Sequence, residues 1–308
     1  MHKESRVFVA GHRGLVGSAI CRSLKGSGFG NLITRTRDEL DLRDQAAVSA
    51  FLNTERPEYV FLSAARVGGI FANSKYPADF IYDNLAVQTS VLKAAYECGV
   101  GKLLFLGSSC IYPRDAPQPI KEECLLTGPL EPTNESYAIA KIAGIKLAQA
   151  LRRQHGFNAI SVMPTNLYGR GDNFDPETSH VVPALIRKFH DAAVGRALEV
   201  TVWGTGSPMR EFLHVDDLAE AAIFLMSNYN EGEIINVGTG VDITIRELAE
   251  VIGKVSSFRG RILFDSSKPD GTPRKVLDVS KISALGWRAR ISFEAGIRDT
   301  YLWYADRL

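Results

Sequence analysis

The chain has 308 residues, of which 45% are hydrophobic and 23% are charged. This composition is typical of a globular protein with a large core, and it excludes disordered, collagen-like and coiled-coil proteins. The 36 Lys and Arg residues against 35 Asp and Glu residues give a net charge of +1, so no overall field favours nucleic acid or an acidic membrane, and an anionic ligand needs a local site.

The first half of the chain predicts an alternation of strands and helices. Short β-branched runs separated by apolar helical periods are typical of βαβ units and of a parallel sheet. We therefore expect an α/β fold with a Rossmann-type doubly wound parallel sheet. The predicted strands are residues 6–10, 31–36, 59–65, 102–107 and 157–168, and the predicted long helices are residues 77–98 and 137–154.

The second half predicts a smaller C-terminal α/β lobe. After about residue 166, loops rich in Gly, Pro and Asp separate shorter elements, while residues 210–227 and 234–237 predict a helix and a strand that return to the first sheet. We expect a ligand in the cleft between the two lobes. The expected domains are residues 1–165 with about 209–239, and about 166–208 with 240–308.

A glycine-rich turn joins the first predicted strand to the first helix. Glycine permits a tight turn and a close approach of the backbone to a pyrophosphate, while the helix N-terminus offers free N–H groups. We therefore predict a dinucleotide site here, against the plainer interpretation of a helix entry with incidental glycines. Its residues are Gly11, His12, Arg13, Gly14, Leu15, Val16 and Gly17.

The end of the second predicted strand indicates which nicotinamide cofactor is used. An Asp or Glu there binds the ribose hydroxyls of NAD, whereas the 2′-phosphate of NADP needs a cation. Arg37 follows this strand, and together with Arg13 it offers several charged N–H donors to a phosphate. The alternative is that these arginines pair on the surface with Asp38 or Glu39. We predict NADP(H).

A reaction centre is predicted where the fourth strand ends. Ser108 lies there, at the edge where open α/β sheets bind ligands, and Tyr137 and Lys141 follow four residues apart on one helix face. A nearby ammonium and a bound nicotinamide cation favour phenolate, so we expect a lowered Tyr137 pKa. Tyrosine then exchanges a proton with a carbonyl oxygen that the serine also binds.

The cysteines and histidines predict neither a metal nor a disulfide site. The four cysteines, at 21, 98, 110 and 124, show no C-x-x-C spacing, and the six histidines are scattered. The start of the sequence has no long apolar run, and no stretch approaches the 18 apolar residues of a membrane span. We expect a cytoplasmic protein that contacts neither membrane nor nucleic acid.

Several strings carry a family resemblance. The chain resembles the extended short-chain dehydrogenase/reductase family, and in particular the branch that converts GDP-4-keto-6-deoxy-D-mannose to GDP-L-fucose. This resemblance implies epimerisation at C3 and C5, followed by reduction of the C4 ketone by NADPH. It also implies that both stages take place in the same site and that the protein forms a homodimer. The strings are GHRGLVGSAI, AARVGGI, YPADFIY, LGSSCIYP, EPTNESYAIAKIAG, VMPTNLYG, DNFDP, SHVVPALIRKFH, WGTGSPMREFLHVDD, INVGTG and SKPDGTPRK.

The resemblance also implies roles for individual residues. Cys110 is the implied base and His180 the implied acid of the epimerisation, with Ser108, Tyr137 and Lys141 stabilising the oxygen. Further implied cofactor contacts are Asp41, Leu42, Leu106, Gly107, Lys141, Pro164, Thr165, Asn166, Leu167 and His180. The implied substrate contacts are Ser108, Ser109, Cys110, Lys188, Trp203, Arg210 and Asp270.

Each of these residues also has a plainer interpretation. An isolated cysteine such as Cys110 is most often a small buried hydrophobe, and a histidine such as His180 often lies at a helix entry or on the surface. Lys188 and Trp203 are equally consistent with an exposed helix lysine and a core tryptophan.

Two other functions remain open at this point. A nucleotide-sugar 4-epimerase or 4,6-dehydratase recycles NAD internally, but a dehydratase of this family places acidic residues where this chain has Cys110-Ile111-Tyr112-Pro113. A catalytically silent NADP-sensing module is free to lose Tyr137 or Lys141, yet both are present.

Overall fold

The computed structural model of the protein describes residues 1–176, 178–268 and 270–308. No helix in these ranges is both long and apolar enough to cross a membrane. The helices are α1 Leu15–Gly26, α2 Gln45–Glu55, α3 Ile70–Lys75, α4 Pro77–Glu97, α5 Glu135–His155, α6 Val181–Val194, α7 Val215–Asn228, α8 Ile245–Val255, α9 Ser280–Ala284 and α10 Phe293–Ala305. The strands are β1 Val7–Ala10, β2 Leu32–Ile33, β3 Tyr59–Leu62, β4 Lys102–Leu106, β5 Ala159–Pro164, β6 Asn166–Tyr168, β7 Glu199–Trp203, β8 Met209–His214, β9 Ile235–Val237, β10 Asp242–Thr244, β11 Arg261–Asp265 and β12 Arg274–Lys275.

The main sheet is parallel throughout its described strands, in the order β2-β1-β3-β4-β5-β9. The order reverses between β1 and β3, so the chain winds outward in both directions from the middle of the sheet. This confirms the predicted doubly wound α/β fold. The carboxyl ends of β1 and β4 meet at one edge, where such sheets bind ligands.

Helices cover both faces of this sheet because its strands are apolar on both sides. Val7 and Val9 pack in one cluster with buried residues of α1 and α7, while Phe8 and Ala10 pack in another with those of α2, α4 and α5. Full burial of such a side chain contributes about 1.5–3 kcal/mol. The layered core therefore fixes β1 and the turn that follows it.

The second half builds smaller sheets around β8. In the described residues, β8 pairs with β6, β10 and β12, and β7 pairs with β11. A third apolar cluster joins these strands to α6, α8 and α10. The chain also returns to the main sheet, since Ile235 in β9 pairs with Val162 in β5 and α7 packs in the same cluster as α1. The prediction of a helix over residues 210–227 was wrong for residues 210–214, which form most of β8 because they pair with strands of the second half.

The predicted strands are longer than the observed ones, and the difference is largest for two of them. Residues 157–168 form two strands, because Thr165 donates its N–H to Val237 at 3.0 Å and the chain then pairs with β8 instead of continuing in the main sheet. The second strand is limited to Leu32–Ile33. The break after β5 turns Asn166 toward the second lobe.

Candidate active site

The glycine-rich turn is tightly folded between β1 and α1. Gly11 has a left-handed backbone with φ of +91°, and a Cβ added there would lie 2.7 Å from the Ala64 nitrogen. A Cβ at Gly17 would lie 2.6 Å from the carbonyl carbon of Gly11. Gly14 precedes α1 and has no side chain to cap it, so the first N–H groups of the helix are available to an anion.

Two arginines beside this turn have free guanidinium groups. Arg13 and Arg37 are both exposed, and neither forms an ion pair within the described ranges. Arg35 differs, since it pairs with Glu55 at 2.5 Å and lies over the Phe51 ring. The free pair matches the donor set that a 2′-phosphate requires.

Asp41 is held by a neighbouring arginine. Arg43 binds its carboxylate at 2.6 Å and reaches Asp83 on α4 at 3.0 Å. The Arg43 hydrogen bonds lower the pKa of Asp41 to about 2. These two ion pairs hold the segment of Asp41 and Leu42 in place, where we predict contacts with the adenine of the cofactor.

The predicted reaction centre is assembled where β4 ends and α5 begins. Ser108 lies in the turn after β4, and its Oγ accepts a hydrogen bond from the Cys110 nitrogen at 3.2 Å. Tyr137 lies on the first turn of α5 and interacts with the Ser108 hydroxyl and with Cys110. Lys141, one turn further along, is buried and donates to the Leu106 carbonyl at 2.8 Å.

The pKa values of the centre differ from the expectation. Burial raises the pKa of Tyr137, and the nearby Cys110 raises it further, while the Ser108 hydrogen bond opposes the shift. Burial also lowers the pKa of Lys141 to about 7, so this lysine is a weak source of positive charge. The expected lowering of the Tyr137 pKa depends on a nicotinamide cation in addition to Lys141. The protein's own groups by themselves do not produce it.

His180, the predicted acid, lies in the second half of the chain. It precedes α6, and although its ring is exposed, desolvation by surrounding protein lowers its pKa. The backbone before it is held by the loop after β3, since Gly69 donates its N–H to Thr178 at 3.0 Å. Glu177, in the same segment, lies outside the described residues.

The predicted contacts of the second lobe lie on α6, β7, β8 and the loop after β11. Trp203 ends β7 with 68% of its surface exposed, which excludes a core role. Both carboxylate oxygens of Asp270 bind Thr205, at 2.7 and 2.8 Å. A Cβ at Gly271 would lie 3.5 Å from Arg210, so Asp270 and Arg210 are neighbours.

Lys188 lies on α6 and donates to the Thr201 carbonyl at 2.5 Å, and partial burial lowers its pKa. Its ammonium is therefore directed at β7, the strand that ends in Trp203. Lys188 is exposed on its helix, as the plainer interpretation has it, and its ammonium is nevertheless bound to β7.

The remaining predicted contacts lie along the carboxyl edge of the main sheet. Thr165 and Asn166 both donate to the Glu211 carbonyl, at 3.2 and 2.8 Å, so their side chains have structural partners. Gly107 donates to Val162 at 2.8 Å. The buried residues of this set are Leu106, Gly107, Ser109, Pro164 and Thr165, and the partly buried ones include His12, Leu15, Val16, Leu42, Asn166 and Leu167.

Two residues beside the predicted site were not identified from the sequence. Asn134 donates to the Cys110 thiol at 3.4 Å, and Gly69 supports the backbone before His180. An asparagine before a helix is ordinarily explained as an N-cap, so the residue type of Asn134 did not indicate a contact with Cys110. Gly69 lies in the quoted string AARVGGI, whose neighbouring glycines were the available signal.

Comparisons with known proteins agree with this geometry. A family model described as NAD dependent epimerase/dehydratase family matches residues 7–238. The chain is 61% identical to a putative GDP-L-fucose synthase 2 of Arabidopsis thaliana, covering 100% of this chain and 94% of the relative. It is 57% identical to the GDP-L-fucose synthase of Escherichia coli K12, covering 98% of this chain and 97% of the relative.

A solved structure is similar over the whole chain. The GDP-L-fucose synthetase of Naegleria fowleri bound to NADP superposes with a TM-score of 0.91 at 30% identity, covering 100% of this chain and 96% of that chain. The similarity therefore extends through both lobes.

Proposed function

The chain belongs to the NAD dependent epimerase/dehydratase family, and we propose that it converts GDP-4-keto-6-deoxy-D-mannose to GDP-L-fucose with NADPH. The observation that carries this proposal is the juxtaposition of Ser108, Cys110 and Tyr137 at the carboxyl edge of the sheet. A chain with 57–61% identity to GDP-L-fucose synthases over nearly its full length supports the same reaction.

The cofactor site fits NADPH. The α1 N-terminus and the glycine turn bind the pyrophosphate, while Arg13 and Arg37 bind the 2′-phosphate. Bound NADPH supplies the hydride that reduces the C4 ketone. Leu106, Gly107 and the segment Pro164–Leu167 position the nicotinamide, and the clasped Asp41 positions the adenine.

Epimerisation needs a base and an acid on opposite faces of the sugar. The Cys110 thiolate removes the proton from the carbon next to the ketone, and Ser108 and Tyr137 donate hydrogen bonds to the enolate oxygen. His180 returns a proton from the opposite face, at C3 and again at C5. The configuration inverts because the proton leaves and arrives on different faces.

Reduction uses the same oxygen contacts. Tyr137 donates its phenolic proton to the C4 oxygen as the alkoxide forms, and Ser108 holds that oxygen in place. The raised pKa keeps Tyr137 protonated and ready to act as an acid. Lys141, fixed by the Leu106 carbonyl, supports the proton transfer.

The second lobe binds the GDP moiety. Lys188 and Arg210 are cations for the diphosphate, and the exposed indole of Trp203 is available for stacking. Asp270 holds the loop after β7 through Thr205, and its remaining lone pairs accept from the nucleoside. We assign NADPH binding to residues 1–165 and about 209–239, and GDP-sugar binding to about 166–208 and 240–308.

We further propose a cytoplasmic homodimer formed through α4 and α5. An open recess of about 450 Å³ lies between these helices, and Tyr96, Leu147 and Leu151 contribute to its largely apolar lining. Tyr82 on α4 is 69% exposed. A second copy seated here would bury this surface, and sedimentation equilibrium distinguishes a dimer from a monomer.

The proposed reaction is tested by NADPH consumption with GDP-4-keto-6-deoxy-D-mannose, run beside NADH and beside GDP-mannose, which has no ketone. The product is identified by NMR, and we expect GDP-L-fucose with a preference for NADPH. A C4-reduced but uninverted sugar contradicts the roles of Cys110 and His180. No NADPH oxidation favours an internally recycling epimerase or a silent NADP-binding module.

A further inference from the structure

Asn134 occupies a capping position without capping its helix. It ends the short 3-10 turn Pro132–Asn134 and directly precedes α5, yet within the described residues its side chain accepts no hydrogen bond from the first turn. Its Nδ2 instead donates to the Cys110 Sγ at 3.4 Å. The side-chain amide is therefore engaged with the thiol rather than with the helix.

Both partners of this hydrogen bond are held by their own segments. Glu131 accepts from the Thr133 nitrogen at 3.3 Å and from its hydroxyl at 3.1 Å, which fixes the turn that carries Asn134. On the other side, the Cys110 nitrogen donates to Ser108 at 3.2 Å. The thiol and the amide thus meet through two independently anchored backbones.

The carbonyl oxygen of Asn134 gives a second indication. Oδ1 is buried and has no hydrogen-bond partner among the described residues. Burying an amide oxygen without a partner costs free energy. A side chain selected only to start α5 would direct that oxygen at the free N–H groups of the first turn, as an N-cap does.

We propose that Asn134 is a positioning residue for epimerisation, whose side-chain N–H holds and stabilises the Cys110 thiolate that removes the sugar proton. This inference rests on the proposed function. A donor to sulfur stabilises the thiolate relative to the thiol and keeps its lone pair directed at one face of the sugar.

The other titratable groups near the thiol do not replace this donor. On α5, Tyr137 is a neutral phenol whose pKa the thiol itself raises, and Lys141 donates to the Leu106 carbonyl. In the preceding loop, Glu131 is 3.7 Å from Arg114. His180 enters from α6 and carries the opposite role in the reaction. Among the residues that the structure describes, the Asn134 amide is thus the side chain that donates to this sulfur.

The test follows the thiol directly, without substrate. Iodoacetamide labelling of the Cys110 peptide is measured by mass spectrometry across pH in the parent and in Asn134→Ala, Asn134→Asp and Asn134→Ser. Loss of a hydrogen bond to a charged group raises the labelling midpoint by about one pH unit, and the added carboxylate of the Asp variant raises it further. Cys110→Ser identifies the signal, and Asn53→Ala, on the exposed face of α2, is the matched control.

Two activity measurements on the Asn134 variants distinguish a positioning role from a general structural role. Exchange of the C3 and C5 protons with deuterated water falls about tenfold near neutral pH, because less thiolate is present. Oxidation of GDP-L-fucose by NADP+, which needs hydride transfer but no carbon-proton transfer, keeps its rate in the same variants. Asn134→Ser separates the donor from the helix start, because serine is a favoured residue at the start of a helix but its short hydroxyl does not reach the sulfur.

The outcomes distinguish this inference from the proposed function. An unchanged or lowered labelling midpoint in folded Asn134→Ser and Asn134→Asp overturns the role of Asn134, and so does an equal loss of exchange and of GDP-L-fucose oxidation. A parent protein that makes no GDP-L-fucose overturns the proposed function, while the labelling experiment still decides whether Asn134 stabilises the thiolate.

Discussion

The ammonium of Lys141 lies 5.8 Å from the centre of the Tyr137 ring, one turn further along α5. The ammonium donates its hydrogen bond to the Leu106 carbonyl, and because burial lowers its pKa to about 7 it is a weak source of charge for the phenol. Burial keeps the phenol protonated, so Tyr137 begins the reduction as an acid. Once Tyr137 has given up its proton, a bound nicotinamide cation would stabilise the phenolate that results.

Tyr137→Phe removes this acid and should slow ketone reduction by about 10²–10⁴-fold, the range of a lost general acid. NADPH affinity should stay nearly unchanged, because no cofactor contact is removed. Stopped-flow NADPH oxidation measures the first quantity and fluorescence titration the second. Tyr301→Phe, on α10, is the control for loss of a tyrosine hydroxyl. A Phe variant with full reductase activity would exclude Tyr137 from the role.

Lys141 makes the stability of the protein depend on pH. Its pKa is about 7 in the folded protein, and about 10.4 in an unfolded chain. Between these values the unfolded chain binds more protons, so this group's contribution to stability rises with pH. Lys141→Met removes the group, and its stability relative to the parent should be greatest near pH 6 and decline toward pH 9.5.

Urea unfolding of both proteins at several pH values measures this difference. The lost hydrogen bond to Leu106 shifts all the points equally, since it does not depend on pH. Lys146→Met, on the exposed face of the same helix, should show no such trend. A flat difference for Lys141→Met would mean that the buried lysine keeps its ordinary pKa.

Arg37→Ala should weaken NADPH binding far more than NADH binding, because Arg37 is an exposed cation that we assign to the 2′-phosphate. Isothermal titration with both cofactors gives the two affinities. Arg35→Ala is the matched control, since Arg35 is already paired with Glu55 and packed on Phe51. Equal losses for the two cofactors would show that Arg37 does not recognise the phosphate.

The main sheet was predictable because its strands are continuous apolar runs, buried on both faces and separated by amphipathic helices. The break after β5 could not be predicted, because the turn at Thr165 depends on a hydrogen bond to Val237, which is distant in the sequence. Turn residues and spacing identified Gly11, Tyr137 and Lys141, whose chemistry is local.

The supporting residues depend on contacts that no local pattern contains. Arg43 clasps both Asp41 and Asp83, although 40 residues separate Arg43 from Asp83. Asn134 reaches Cys110 across 24 residues. The sequence therefore predicts which side chains do the chemistry, and the fold shows which neighbours contact them.

Gly69 tests whether the backbone before His180 has to be held. A Cβ at this position would lie 2.7 Å from the Ser179 carbonyl oxygen, closer than van der Waals contact permits. Gly69→Ala should therefore displace the segment that leads into His180. Because a displacement of about 1 Å costs up to about 10²-fold in rate, formation of GDP-L-fucose should fall while NADPH affinity stays the same. Gly26→Ala, at a position with nothing within 4 Å, is the control. Since Tyr137 and Ser108 are untouched, oxidation of GDP-L-fucose by NADP+ should persist, and its parallel loss would mean that the contact supports the whole site.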